Sequence, residues 1–397
     1  MITEFHDLRR DMTVSIYPWR ANNGFELTVD GENFFPKVLD AIAQAQTSID
    51  IEMYLVETGQ ATAILIQALS AAVGRGVRVR CLLDDIGSRE FVAQEREQLR
   101  DGGIELRIYN PLRLMRGLWN FHRDHRKILI FDNHLAMTGG FGLSDEFCLP
   151  DEHGQTLWHD QMLAVTGLAV VDWLALFEHQ WKQTDGPRPG RPLPSLRRIR
   201  PPPAPDGKHG WARVTHMDSR YSNDILHGLL VQIRAAEKHV WLATPYFLPA
   251  WRIRRALQGA ARRGVDVRLL LCGQIMDHPP VRYAGQRYYS RLLKAGIRIF
   301  EYQPRFLHLK SALVDDWTSL GSCNFDHWSL HWNLEANQHG IDVGLADSVR
   351  ETFEKDFSAS HEWTLEAWRR LPRWHRLKIR MWGQINRWVT MWFHIKR

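Results

Sequence analysis

Two stretches of this sequence hold a histidine, a lysine and an aspartate at one spacing: His125, Lys127 and Asp132, then His308, Lys310 and Asp315. The pattern H-x-K-x4-D therefore occurs twice. Each copy lies in an apolar run that leads to a glycine-led turn, Gly139-Gly140-Phe141-Gly142 and Gly321-Ser322-Cys323-Asn324. Chance agreement at all these positions is a poor explanation. In a β-strand alternate side chains share a face, so His125 projects with Lys127 and His308 with Lys310. Such pairs suit a phosphodiester, because ammonium groups at its oxygens stabilise the charge that builds during attack. A neutral imidazole can attack and a protonated one can release an alkoxide, so two histidines with separated pKa values can share the roles of nucleophile and acid. Backbone N–H groups of the turns, at Gly140 and Ser322, join the Asn324 amide as further substrate phosphate donors. This set requires no metal and no other cofactor. Asp132 and Asp315 end their strands and are read either as participants in the site or as structural orienters, Asp being a common turn residue.

The elements that position these residues also recur. Ala71-Ala72-Val73-Gly74-Arg75-Gly76-Val77-Arg78-Val79 parallels Ala260-Ala261-Arg262-Arg263-Gly264-Val265-Asp266-Val267, each a helix end, a glycine stop and a buried strand. Gly103-Ile104-Glu105-Leu106-Arg107-Ile108-Tyr109 is echoed by Gly296-Ile297-Arg298-Ile299-Phe300-Glu301-Tyr302. Apolar strands alternating with helices predict an α/β protein with mixed or mostly parallel sheets. The expected organisation is an amino-terminal segment 1–23, a first α/β half 24–183, a connector 184–208, a second half 209–360 and a tail 361–397. Eight prolines and five arginines between Gly186 and Asp206 exclude a helix or inner strand and predict a stiff exposed connector.

Composition narrows the class. With 397 residues, 44% of them hydrophobic, the chain can bury a large core and is not a disordered polymer. Cys81, Cys148, Cys272 and Cys323 show neither a C-x-x-C pair nor a disulfide framework, which points to a reducing compartment and away from zinc. No stretch approaches the roughly 18 apolar residues of a membrane span, and no export signal follows Arg9 and Arg10. The net charge of +6 is modest for a nucleic-acid surface, so nucleic acid is a poor partner.

The tail is the second informative feature. From Arg373 to Arg397 there is no acidic residue, and helical spacing gathers Trp374, Leu377, Met381, Ile385, Trp388 and Trp392 on one side. Arg373, Arg376, Arg380 and Arg387 fall on another, while Lys378 lies on the apolar side with a stem long enough to snorkel. A basic, tryptophan-rich helix of this kind suits an anionic phospholipid membrane as partner. The expectation is that the tail delivers the site to lipid rather than building it.

The paired motifs resemble those of the phospholipase D superfamily, whose members bring two of them together in one phosphodiester-processing site. Phe25 to Phe35, Ile51-Glu52-Met53-Tyr54, His122 to Asp132, Trp158-His159-Asp160 and Asn333-Leu334-Glu335-Ala336-Asn337 are similar to bacterial cardiolipin synthases, in particular the short type lacking transmembrane helices. The resemblance covers about residues 24 to 360. It implies two phospholipase D-like halves packed around one shared active site, with a carboxy-terminal amphipathic helix. It implies transfer of a phosphatidyl group, with phosphatidylglycerol as donor and acceptor, through a phosphohistidine on His125, with His308 as the acid. It also implies that Asp160 and Glu335 orient the histidines of their own halves, that no metal takes part, and that the enzyme sits peripherally on the cytoplasmic face of the inner membrane. The sequence departs from the family pattern at Gly142, where Asn is usual, and the turn after Asp315 is one residue shorter than that after Asp132. Hydrolysis of phospholipid or nucleic acid is the alternative activity, and a catalytically idle lipid-binding protein is opposed by the intact His and Lys of both motifs.

Overall fold

Each motif enters the middle of a β-sheet, and the two sheets are assembled in the same order. The computed structural model describes residues 17–184, 210–218, 222–326 and 333–395. In the first half β1 (Asn23–Val29), β2 (Ser48–Met53), β3 (Arg78–Asp84), β4 (Glu105–Tyr109), β5 (Lys127–Phe131), β6 (Leu135–Gly139) and β8 (Gln161–Gly167) form a sheet, while β7 (Trp158–His159) stands outside it. Its order is β1-β8-β6-β5-β2-β3-β4. The second half contributes β9 (Trp211–Asp218), β10 (Ser222–Asn223), β11 (His239–Thr244), β12 (Asp266–Cys272) and β13 (Arg298–Tyr302). After β14 (Phe306–Leu307), which again leaves the sheet, come β15 (Ser311–Val314), β16 (Trp317–Gly321), β17 (Leu334–Ile341) and β18 (Ser360–Trp363). The order β10-β9-β17-β16-β15-β11-β12-β13-β18, without its edge strands β10 and β18, repeats the first sheet strand for strand. Both sheets are mixed: β2-β3-β4 and β11-β12-β13 run parallel, and the motif strands β5 and β15 run antiparallel to β2 and β11.

Alternation along the central strands decides what lies on each face. Ile49, Ile51, Leu129 and Phe131 pack outward against Phe34, Val38 and Ile42 of α1 (Gly31–Gln44) and Leu65 and Leu69 of α2 (Gln60–Gly74). Ile128 and Ile130 point the other way, onto Trp173, Leu176 and Phe177 of α3 (Val170–Gln183) and onto Val214 and Ala336 of the second half. The second sheet repeats this scheme. Val240, Leu242 and Leu269 face α4 (Asp224–Ala235) and α5 (Trp251–Arg262), α6 (Pro279–Gln286) follows β12, and Trp241 and Leu270 meet Val349 and Phe353 of α7 (Val343–Ser358). The halves therefore share one interior, and Trp173, fully buried, donates its indole N–H to Gln338 across it at 2.8 Å. Burying each such large apolar side chain contributes roughly 1.5–3 kcal/mol. The predicted helix stops hold: Gly76 and Gly264 both adopt φ of 90°, a conformation that glycine takes without a Cβ penalty.

One boundary differs from expectation. Residues 360–363 form β18 on the edge of the second sheet, anchored by Arg298 and Glu362 in a two-pronged ion pair of 2.7 and 2.8 Å, so the second half runs past 360. The tail, expected to deliver the site rather than build it, packs on the second half and contributes Asn386 to the surface of the site cleft. Its helix α8 (Arg373–Ile395) buries Ile379 in the second-half core, and its Gly383 carbonyl accepts from Arg287 at 2.6 Å. The face carrying Trp374, Leu377, Met381, Ile385 and Trp388 is left to solvent, with Trp374 62% and Trp388 69% exposed. Arg373, Arg376, Arg380 and Arg387 are exposed as well, and the Lys378 ammonium lies 5.6 Å from the Tyr283 ring centre. The side chain of Trp392, the proline-rich run and residues 1–16 lie outside the described residues.

Candidate active site

The two motif histidines stand just before β5 and β15, on segments that leave their own sheets to pair with the opposite half. The His125 N–H donates to Leu334 O at 2.9 Å, and the His308 N–H donates to His159 O at 2.8 Å as β14 runs parallel to β7. The residue after each acceptor is a carboxylate. Glu335 thus reaches His125, with both its oxygens 3.1 Å from Nδ1, and Asp160 reaches His308 Nδ1 at 2.7 Å. The expectation that each carboxylate serves its own half is corrected: the pairing is crossed, because the backbone ladders that carry the histidines are themselves crossed.

Other expected residues divide into those that the fold gathers and those that it sends elsewhere. His125, Lys127, Gly140, His308 and Asn324 line one cleft of about 460 Å³. Lys310 is buried beside it, its Nζ 2.9 Å from His308 Nε2 and 2.8 Å from His308 O. Lys127 Nζ donates to His125 O at 2.7 Å. Arg126, between them in sequence, points away and is neutralised by Asp124 and Glu52, as strand alternation requires. Ser322 is a second correction. Its backbone N–H, expected to meet phosphate, donates to Ala336 O at 3.0 Å, and its fully buried hydroxyl donates to Glu335 at 2.5 Å, so it holds the carboxylate rather than substrate.

Asp132 and Asp315 are a third correction. Each lies five residues past its lysine, about 16 Å along a strand. Asp132 accepts backbone N–H bonds from Gln46, Thr47 and Ser48, and Asp315 from Glu237, Lys238 and His239. Both sit at φ of 50° and tie the motif hairpin to the start of the neighbouring strand, far from the cleft.

The halves are unequal where the sequence departs from pattern. A Cβ on Gly142 would lie 2.7 Å from Leu55, whose side chain fills the place of the missing amide. A Cβ on Gly140 would lie 2.7 Å from the Asp160 carboxylate. Asp160 therefore lacks the hydroxyl donor that Glu335 receives from Ser322, while Asn333 adds a second donor to Glu335 at 3.3 Å. Burial pushes the Asp160 carboxyl up to about 7, against the pull of Lys310. Burial also lowers Lys127 to about 7 and Lys310 to about 8. Both imidazoles are lowered by burial, His308 strongly, with Lys310 and Lys127 adding to the effect. A neutral ring with its Nδ1–H held by carboxylate presents a lone pair on Nε2, which is what attack on phosphorus needs.

Aromatic residues frame the site, and sequence reasoning gave them no role. The Tyr54 ring lies tilted against His125 at 4.6 Å between centres and 5.1 Å from the Lys127 ammonium, while Phe147 and Trp158 stand 5.1 and 5.0 Å from the His308 ring. Position was the available signal, since Tyr54 directly follows β2 and Trp158 directly precedes His159 and Asp160. Among the described residues no group of three or more His, Cys, Asp or Glu side chains is placed to hold a metal ion.

The duplicated sheets and paired motifs define a phospholipase D-like fold. The same fold is seen in phosphatidylserine synthase from Haemophilus influenzae Rd KW20, with a TM-score of 0.67 at 13% identity over 96% of this chain and 98% of that one. Polyphosphate kinase from Porphyromonas gingivalis shares it at a TM-score of 0.56 and 15% identity, over 83% of this chain and 50% of that one. In sequence, residues 38–164 and 229–357 match the family described as cardiolipin synthase, PLD-like domain. Cardiolipin synthase B of Salmonella typhi is 34% identical over 343 residues, covering 85% of this chain and 81% of that protein. Cardiolipin synthase A of Pseudomonas putida is 32% identical over 368 residues, covering 92% and 74%. The chain belongs to the cardiolipin synthase family of phospholipase D-like proteins, and it is a phosphatidyltransferase of that superfamily.

Proposed function

We propose that this enzyme transfers a phosphatidyl group from one phosphatidylglycerol to a hydroxyl of another, at the surface of an anionic membrane on its cytoplasmic side. One observation carries the reading: two imidazoles with crossed carboxylate partners share a cleft with Lys127 and Asn324, and Lys310 lies buried against His308 beside it. His125 Nε2 attacks phosphorus and the bond to the headgroup glycerol breaks. The departing alkoxide takes the Nε2 proton of His308 while Asp160, whose raised pKa lets it hold a proton near neutral pH, passes that proton to Nδ1, so the ring stays neutral. The second hydroxyl then enters, returns a proton to His308 and displaces phosphorus from His125. The lysines and Asn324 stabilise the non-bridging oxygens throughout. Glu335, with its three donors, suits the nucleophile; Asp160, lacking a hydroxyl partner, suits the proton carrier. No step requires a metal.

The exposed tryptophan and arginine face of α8 supports docking on anionic lipid, and no helix among the described residues is long and apolar enough to cross a membrane. Water in place of the second lipid would give hydrolysis by the same steps. The test is an alkaline denaturing quench, which spares the phosphorus–imidazole bond, during turnover of phosphatidylglycerol labelled at phosphorus. Label is expected on His125, and a phosphoenzyme found only on His308 would reverse the assignment.

A further inference from the structure

Beyond the motifs the two walls of the cleft differ in chemistry. From the first half come Leu55, Phe147 and Trp158, with no carboxylate or amide. From the second half come Tyr246, Asp277, Asp326 and Asn333 beside the apolar Leu248 and Val281, joined by Asn386 of α8. The Tyr246 hydroxyl donates to Asp277 Oδ2. Burial, with Asp277 adding to it, holds the Tyr246 pKa far above its ordinary value, so this hydroxyl remains a neutral donor. Asp277 is 24% exposed, and the His278 imidazole, 3.7 Å away, is itself mostly in solvent.

A carboxylate facing a phosphate-binding cleft repels the substrate anion unless it meets a donor on that substrate. The first half shows that the fold does not demand one there. Asp277 lies five residues past β12; the residue at that offset from the matching strand β3 is Arg89, which is exposed and takes no part in lining the cleft. The cleft, at about 460 Å³, also exceeds what a phosphate alone occupies.

We infer that Tyr246 and Asp277, flanked by Asn333 and Asn386, form a polyol subsite that accepts hydrogen bonds from the hydroxyls of the alcohol esterified to the phosphate. The diacylglycerol side then leaves over Leu55, Phe147 and Trp158. The inference rests on the phosphatidyl-transfer reading and deepens it: the subsite holds the departing glycerol first and the incoming glycerol afterwards. Asp277 fixes which alcohol is used, and Tyr246 fixes the orientation of Asp277.

Calorimetric titration of the full chain carrying His125→Ala, which blocks turnover, tests this with three soluble probes. They are glycerophosphoglycerol, glycerophosphoethanolamine and dimethyl phosphate. The expected result is a preference for glycerophosphoglycerol over dimethyl phosphate that falls roughly tenfold or more on Asp277→Asn, and less on Tyr246→Phe, as befits loss of hydrogen bonds to a charged group. Equal losses for all three probes, or an unchanged preference, would overturn the subsite. A loss confined to glycerophosphoethanolamine would overturn it in favour of a cation site. Failure of all three probes to bind before Asp277 is changed would instead strike at the phosphodiester reading itself, and the subsite would fall with it.

Discussion

His125, from the first half, is held through Nδ1 by Glu335 of the second half at 3.1 Å, across 210 residues of sequence. The reciprocal bond joins His308 to Asp160 at 2.7 Å. Each half therefore carries a nucleophile-type imidazole but not the carboxylate that orients it. Both orienting contacts form only with the two halves packed together, as their continuous apolar interior holds them.

Glu335→Gln and Asp160→Asn preserve size while removing the carboxylate charge. Each is expected to lower kcat for phosphatidyl transfer by about 10²–10⁴-fold, the range for losing the carboxylate that holds a catalytic imidazole. The double variant should fall well short of the product of the two losses, because the groups act as a unit. Full additivity in steady-state kinetics would argue against a shared centre.

The alkaline limb of activity should belong to the lysines. With Lys127 lowered to about 7 and Lys310 to about 8, kcat/KM should fall as pH rises through that range, since neutral amines no longer hold phosphate. Bound phosphate favours the charged ammonium, so the limb of kcat should lie at higher pH. A kcat/KM profile still flat at pH 9 would exclude the assignment. Chelation should leave both profiles unchanged.

These same lysines should lower stability. Their folded pKa values lie below the unfolded value of about 10.4, so the unfolded chain binds more protons in the window above about 7 and stability rises with pH there. Lys127→Met, expected to abolish transfer, should raise unfolding free energy by about 1–3 kcal/mol near pH 7 in denaturant titrations. A destabilised Met variant would contradict this.

Asp132→Ala and Asp315→Ala should act on stability rather than chemistry. Each removes an acceptor for three backbone N–H groups, and a thermal midpoint lower by a few degrees is expected, about 1–2 kcal/mol. Backbone hydrogen bonds hold the Asp132 carboxyl down at about 2 despite its slight desolvation. Its stabilisation is thus full above the unfolded value of about 4 and disappears as pH falls toward 2. Turnover by folded variant at neutral pH should remain within a few-fold of the parent.

Helix α8 should show two separable functions. Trp374→Ala with Trp388→Ala should weaken binding to phosphatidylglycerol vesicles even at high salt, whereas Arg376→Glu with Arg380→Glu should matter most at low salt. Ile379→Ala should instead lower stability by about 2–4 kcal/mol, because that side chain is 8% exposed in the core. Flotation assays and denaturant titrations separate the two.

The chemistry of this protein was legible in the one-dimensional order of residues. Strand alternation placed His125 beside Lys127 and His308 beside Lys310, glycine stops marked the repeated units, and repetition of both implied a duplicated α/β fold, which the matching strand orders reproduce. All of these are short-range properties, set by periods of two or four residues and by local backbone freedom. Partnership across the halves was not legible. His125 and His308 are directed by hydrogen bonds to Leu334 and His159, residues more than a hundred positions away, so no local pattern encodes which carboxylate each meets. The same holds for Ser322, whose hydroxyl turns to Glu335, and for Asp132 and Asp315, whose partners are strand starts brought close only by the sheet. In α8 the spacing revealed a tryptophan face and a basic face but not which surface would be covered. Packing of Ile379 and Gly383 on the second half decided that, since the small residue lets the Arg287 side chain close against the helix and the apolar one escapes water.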